Sequence, residues 1–330
     1  MTKLLTAAIV LIAAVLLPGK WTNGPPLPVG RSEVAVATID DGIYVIGGYA
    51  NGNVDQSLVQ IFRPRVNDGG DLSGEWRDVA PLPRGLNHVG AVGYRGKIYT
   101  FGGFSAQNNS AVPDANVYDP RANRWSAIAP LPHALGSISV AVLGDEIHLV
   151  GGRDLHSVGT HLVYDPVNNR YTERAPLPVG RDHMGLVAYE GRLYAIGGRI
   201  DTPAHNTAFV DVYDRTKDRW SSAAPLPAPR SGIAAVPYLQ RIYVMGGEQA
   251  GMAAAFSTIF VYDPRRRCWQ QYGSLPEGRH GTGAAVVSDL LFVPGGAPVP
   301  GGSRQSNTLF VYSPRVISAT GLREAAGQSR

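Results

Sequence analysis

Three columns of residues emerge when each of six Gly-Gly pairs in the chain is used as a ruler. Sixteen residues before the pairs stand Arg31, Leu86, Leu135, Arg181, Arg230 and Arg279; the next positions are Ser32, Asn87, Gly136, Asp182, Ser231 and His280; the third are Glu33, His88, Ser137, His183, Gly232 and Gly281. An arginine offers a planar fork that matches a carboxylate in two parallel hydrogen bonds. Arg31, Arg181, Arg230 and Arg279, with Asn87, Asp182 and His280 beside them, are therefore the candidate ligand-binding set. Glu33 with His88 or His183 could move protons as a general acid and base, and these three are the candidate catalytic set. Each arginine has a structural alternative, in which its guanidinium simply bonds carbonyls of the next repeat, and each histidine could be a satisfied structural group. The third column differs from repeat to repeat, as a site would require and a fold would not. Residues directly after the Gly-Gly pairs (Tyr49, Phe104, Arg153, Arg199, Glu248) read as solvated loop side chains, with the rim of a site as the alternative.

Other chemistry is weak. The chain has no glycine-rich phosphate loop, no H-E-x-x-H and a single cysteine, Cys268, so neither a cofactor nor a metal ion is expected.

The elements that must carry these columns repeat with them. The Gly-Gly pairs end strand-like runs such as YVIGG and YTFGG, at intervals of 55, 49, 46, 49 and 49 residues. A second series, Trp21, Trp76, Trp125, Tyr171, Trp220 and Trp269, keeps the same intervals and is mostly followed by Pro-Leu-Pro. Between them lie runs ending in Tyr-Asp-Pro or a variant, so each unit reads as four short antiparallel strands. Gly-Gly, an aromatic-Asp pair and a Trp at this spacing resemble the kelch repeat over residues 21–314, and the resemblance implies an all-β, six-bladed β-propeller. The last unit lacks its aromatic strand, while KWTNGPPLP at residues 20–28 has that strand and nothing before it. The N-terminal strand is thus expected to complete the sixth blade and close the ring.

Composition sets the rest. Glycine (40) and proline (25) are abundant while apolar residues stay at 44%, which fits a turn-rich globular chain. A net charge of +4 without runs of Lys or Arg argues against nucleic acid. Leu4 to Leu17 is apolar except for Thr6 and too short to span a bilayer, so residues 1–19 read as a signal peptide or short anchor, residues 20–314 as the propeller and residues 315–330 as a tail. A periplasmic or secreted protein with no membrane span in its mature form is expected.

In the propeller the three columns should meet at the central mouth of the face that carries the loops after Gly-Gly. Arginine occupies contiguous blades 4, 5, 6 and 1, and leucine blades 2 and 3, so the mouth should be cationic on one side. The expected function is a binding module for an anionic small molecule, an acidic glycan or an acidic protein loop; in kelch proteins that bind acidic peptides, arginines in this part of the blade do that work. The alternative is an isomerase. Export signal, blade count and polar funnel resemble those of the periplasmic N-acetylneuraminate epimerases, kelch propellers that interconvert sialic-acid anomers. That resemblance would make Glu33, His88 and His183 the proton shuttle and the arginines the carboxylate clamp. Convergence of the three around a closed pocket is the geometric condition for it.

Overall fold

A computed structural model describes residues 16–67 and 72–316; most of the expected signal segment, residues 68–71 and the expected tail beyond residue 316 lie outside the described residues. Six four-stranded antiparallel sheets form the blades, each ordered from its innermost strand outward. Blade 1 runs through Ala35–Ile39, Gly42–Ile46, Val59–Val66 and Leu72–Val79, and blades 2 to 5 repeat that order. The sixth closes as expected. Its first three strands are Ala285–Val287, Leu290–Pro294 and Leu309–Val316, and its outermost strand is Leu16–Gly24, with Trp21 opposite Tyr312. The N-terminal strand thus supplies the outer strand that the last blade's own repeat lacks.

The repeated residues show why this sequence builds blades. Leu27, Leu82, Leu131, Leu177, Leu226 and Leu275, the leucines of the Pro-Leu-Pro elements and their variant, are all at most 4% exposed. Two prolines hold the chain extended around five of these leucines and one, Pro276, follows Leu275; each leucine drops into the core between blades. In blades 1 to 5 the aromatic series ties the blade to the one before: Trp125 Nε1 donates to Ala80 O at 2.7 Å, Trp220 to Ala175 O at 2.8 Å, Trp269 to Ala224 O at 2.9 Å, and Tyr171 OH to Ala129 O at 2.8 Å. Trp76 donates to Pro25 O at 2.8 Å, so the same bond crosses the seam of the ring. At the Gly-Gly positions the chain turns with positive φ against the next blade; a Cβ on Gly102 would lie 2.0 Å from the carbonyl oxygen of Leu135.

One buried polar pair breaks this apolar pattern. His148 and His161, on adjacent strands of blade 3, are 0% and 2% exposed. His161 donates from Nδ1 to Ala175 O at 3.0 Å, so its Nε2 accepts from His148 Nδ1 at 2.9 Å. Burial lowers both, His148 to about 3 and His161 to about 4, and each stays neutral at pH 7. Glu146 approaches His148 to 3.4 Å but is shared with Arg174 and Arg215; Asp218 pulls weakly on His161.

A pH dependence follows. Unfolded histidines titrate near about 6.5, so below that value the unfolded chain takes up protons that the folded chain refuses, and stability falls as pH drops towards 4. The slope should reach roughly 1.4 kcal/mol per pH unit for each histidine. Urea denaturation at pH 7, 6 and 5 should show this loss, and a His148→Leu/His161→Leu variant should show a flatter dependence; Ala175 O keeps its bond from Trp220 in that variant. Equal slopes would refute the assignment.

Candidate functional site

At the head of every innermost strand one residue adopts the left-handed conformation, and these are the residues of the third column. Their φ values are 52° for Glu33, 51° for His88, 53° for Ser137, 52° for His183, 64° for Gly232 and 63° for Gly281. Backbone bonds link them from blade to blade: His88 N donates to Glu33 O at 3.0 Å, Ser137 N to His88 O at 2.9 Å, Gly232 N to His183 O at 2.9 Å and Gly281 N to Gly232 O at 3.1 Å. Val34 N carries the series from blade 6 to blade 1 on Gly281 O at 3.3 Å. Glycine adopts this conformation freely, whereas a residue with a side chain pays about 1 kcal/mol or more. Glu33, His88, Ser137 and His183 accept that cost and point at the propeller axis, where they line a cavity of about 120 Å³. Its remaining wall is largely apolar, with Val34, Val89, Ile138, Met184 and Ile233.

The three candidate catalytic residues do converge. One donor atom from each of Glu33, His88 and His183 lies within 4.8 Å of the others. His88 Nε2 is 3.0 Å from Glu33 Oε2, and the two imidazole rings meet edge to face at 4.6 Å. Second-column neighbours orient the rings. Asn87 donates its amide to Asp55 Oδ1 at 2.7 Å and Phe104 O at 3.1 Å, which turns its own Oδ1 onto His88 Nδ1. Asp182 accepts from Arg199 Nε at 3.1 Å and from Ser157 Oγ, and its Oδ1 meets His183 Nδ1. Both rings thus carry their proton on Nδ1 and present Nε2 to the axis.

Charges surround this pair. Arg199 donates from Nη2 to His183 Nε2 at 2.9 Å and from Nη1 to Glu248 Oε1 at 2.9 Å. His280 bonds Val299 O through Nε2 at 2.7 Å and sets Nδ1 3.3 Å from Glu33 and 3.6 Å from Glu248. Burial, aided by Arg199, lowers His183 to about 4, so it is neutral at pH 7. Burial works against charge on Glu33, but His88 and His280 hold its carboxyl well below the usual range. Burial likewise opposes charge on His280, and Glu33 and Glu248 nevertheless raise it. A Cβ at Gly281 would sit 2.5 Å from Glu33 Oε1, so glycine in blade 6 makes room for the carboxylate.

The arginine column does something else, which corrects the expected anion clamp. Arg31, Arg181, Arg230 and Arg279 are at most 2% exposed and lie inside their blades, in the same layer as the buried Leu86 and Leu135. Arg31 bonds Gly47 O and Leu58 O, both at 2.8 Å, and Gln60 Oε1 at 3.1 Å. Arg181 pairs with buried Asp211 at 2.9 Å. Arg230 bonds Gly246 O at 3.0 Å and Thr258 Oγ1 at 2.9 Å, with Phe256 and Phe260 rings 4.2 and 4.6 Å from its Cζ. Arg279 bonds Glu277 at 2.6 Å and Ser306 Oγ at 3.1 Å over Phe310. Asn87, Asp182 and His280, expected to touch ligand, are 0% exposed and act by holding the third column.

The residues after Gly-Gly are not solvated loop side chains either. Each pairs across an isolated bridge with the second column, as Asp182 with Arg199 and Ser231 with Glu248. Tyr49, Phe104, Arg199 and Glu248 are buried and form the layer above the cavity. Arg153 differs. It is half-buried, its guanidinium lies 4.9 Å over the Phe104 ring, its Nε has no hydrogen-bond partner, and among the described residues no carboxylate pairs with it. Ser157, which holds Asp182, was given no role by the repeat columns, because it lies in a loop of blade 3 that keeps no common spacing.

A structural role for Arg181 makes a definite expectation. Arg181→Ala leaves Asp211 buried and unpaired and should cost about 3–5 kcal/mol in denaturant unfolding. A loss below about 1 kcal/mol would show that the pair does not support the blade.

Comparison with known proteins agrees with the geometry. A family model described as the KLHDC2/KLHL20/DRC7 Kelch-repeats domain matches residues 19–198, and a Kelch motif model matches residues 180–227 and 229–276. The Kelch-like protein terF of Aspergillus terreus is 32% identical over 154 residues, covering 41% of this chain and 31% of that protein. Kelch-like protein 35 of Mus musculus is 32% identical over 145 residues, covering 44% of this chain and 23% of that one. The N-acetylneuraminate epimerase of Pasteurella multocida is 32% identical over 155 residues, covering 44% of this chain and 38% of the epimerase. The matched segments thus span well under two thirds of these relatives. A solved structure, that of YjhT, superposes with a TM-score of 0.73 at 17% identity, over 88% of this chain and 99% of that one, a likeness of fold.

Proposed function

This chain belongs to the kelch-repeat family, and on that premise we propose that it is a non-catalytic binding module that receives an anionic group of its partner at Arg153, on the face carrying the loops after Gly-Gly. The observation that carries the reading is the state of that guanidinium. Every first-column arginine is spent inside its blade and Arg199 is held by Asp182 and Glu248, whereas Arg153 has only the face of Phe104. An arginine resting on an aromatic ring keeps its fork free for a carboxylate. Leu155, 82% exposed two residues along, offers an apolar contact beside it. An acidic protein segment with an apolar side chain next to its carboxylate fits both features.

The isomerase reading is favoured by the convergence of Glu33, His88 and His183 and by the identity with the Pasteurella multocida epimerase. The cavity weighs against it. At about 120 Å³ it falls well below the roughly 300 Å³ at which small-molecule pockets begin. We also propose an extracytoplasmic location, which rests on the apolar run from Leu4 to Leu17; among the described residues no helix is long and apolar enough to cross a membrane.

The test combines a panel of acidic peptides, a glycan array and an NMR mutarotation assay on sugar acids. Binding of an acidic peptide should weaken at least tenfold in Arg153→Ala and less in Arg153→Lys, which keeps the charge and loses the fork. A peptide bound equally by both variants and the parent would sink the Arg153 reading. Accelerated mutarotation that disappears in His183→Gly would put the isomerase first.

A further inference from the structure

We propose that Glu33, His88 and His183, with Ser137 beside them, form a binding site for one divalent transition-metal ion on the propeller axis. The site does not use the Arg153 guanidinium, although Phe104 lies between that guanidinium and His88.

The donor set is the first ground. Two imidazole nitrogens and one carboxylate oxygen within 4.8 Å of one another are a ligand combination that first-row divalent metals accept, with positions left open towards the cavity. Ligands about 2.1 Å from a metal and at right angles to each other stand about 3.0 Å apart, and His88 Nε2 and Glu33 Oε2 are 3.0 Å apart.

Tautomers are the second ground. Asn87 and Asp182 hold the protons of both rings on Nδ1, which is how metal-binding histidines are oriented by outer partners.

A third ground is independent of these contacts. Ser137 stands between His88 and His183 in the ring, lines the same cavity, is 9% exposed, and its Oγ has no hydrogen-bond partner. A buried hydroxyl without a partner is costly unless something completes it. A metal ion, or water on it, does so.

Charge agrees. Three carboxylates, Glu33, Asp182 and Glu248, face Arg199 and His280. Arg199 donates to His183 Nε2, so a metal ion entering there must displace the guanidinium from that nitrogen, against its bonds to Asp182 and Glu248.

The repeat supplies fold-compatible variants. Blades 5 and 6 carry glycine at this position, Gly232 and Gly281, so His88→Gly and His183→Gly preserve the left-handed backbone. The full chain, freed of metal by a chelator, is titrated with Co²⁺ by its visible d-d absorption and with Zn²⁺ by calorimetry, and folding of each variant is checked by circular dichroism. One equivalent should bind to the parent. Affinity should fall at least a hundredfold in His88→Gly/His183→Gly, and should be unchanged in His156→Ala, which removes an 82% exposed histidine. The proposal is overturned if the parent takes up no stoichiometric metal, if the double glycine variant binds as the parent does, or if only His156→Ala loses binding.

Discussion

The left-handed residue at the head of each innermost strand is the constraint on which the rest of this propeller depends. It turns the chain from the loop above the blade into the strand that lines the axis, and its peptide bonds carry the hydrogen bonds that join neighbouring blades. Its side chain is thrown onto the axis. Because the residue before it is still bridged to the loop after Gly-Gly, two adjacent side chains come into contact: Asn87 with His88, and Asp182 with His183. In an extended strand such neighbours would point to opposite faces. One backbone conformation thus closes the ring, builds the cavity and supplies each histidine with its partner.

Around that ring the sequence divides its labour. Positions that join blades hardly vary: the leucine in Pro-Leu-Pro, the Gly-Gly pair and the aromatic that reaches back to the preceding blade. The first column belongs with them, although it mixes arginine and leucine. A guanidinium inside a blade satisfies carbonyls at the strand ends, as Arg31 does with Gly47 and Leu58, while Leu86 and Leu135 fill the equivalent place with apolar contacts. Variation in polar side chains is left to the third column, where strain is accepted in four blades and avoided by glycine in two. Strained backbone that carries polar side chains into a shared cavity marks a site better than residue type alone.

Much of this was legible from residue order. The two series in register determined the blade count, and the bare Trp21 strand determined the closure. Variation between blades picked out Glu33, His88 and His183, and they do converge. The arginines were misplaced for a physical reason. Counting two residues from Glu33 back to Arg31 assumes the alternation of an extended strand, but the left-handed residue breaks that alternation and the regular strand begins only at Ala35. The layer of Tyr49, Phe104, Arg199 and Glu248 was illegible as a buried layer, since charged and polar residues after a turn ordinarily face water. Only the bridges back to the second column draw them inward.

The corrected positions also separate the two signs of charge. Glu33, Asp182 and Glu248 gather their carboxylates at the axis in a buried setting, against Arg199, His280 and the His88 ring. An anion brought there would meet carboxylates before it met a free guanidinium, and burial would strengthen the repulsion. A cation would meet two oriented imidazole nitrogens and a carboxylate oxygen. Arg153, which no carboxylate among the described residues pairs, lies over Phe104. The mouth that was expected to be a single anionic-ligand site thus holds two surroundings of different charge. They share a wall, because Phe104 holds Arg153 on one side and packs against His88 on the other at 5.8 Å. Whatever fixes the His88 ring therefore also fixes the aromatic surface on which Arg153 rests.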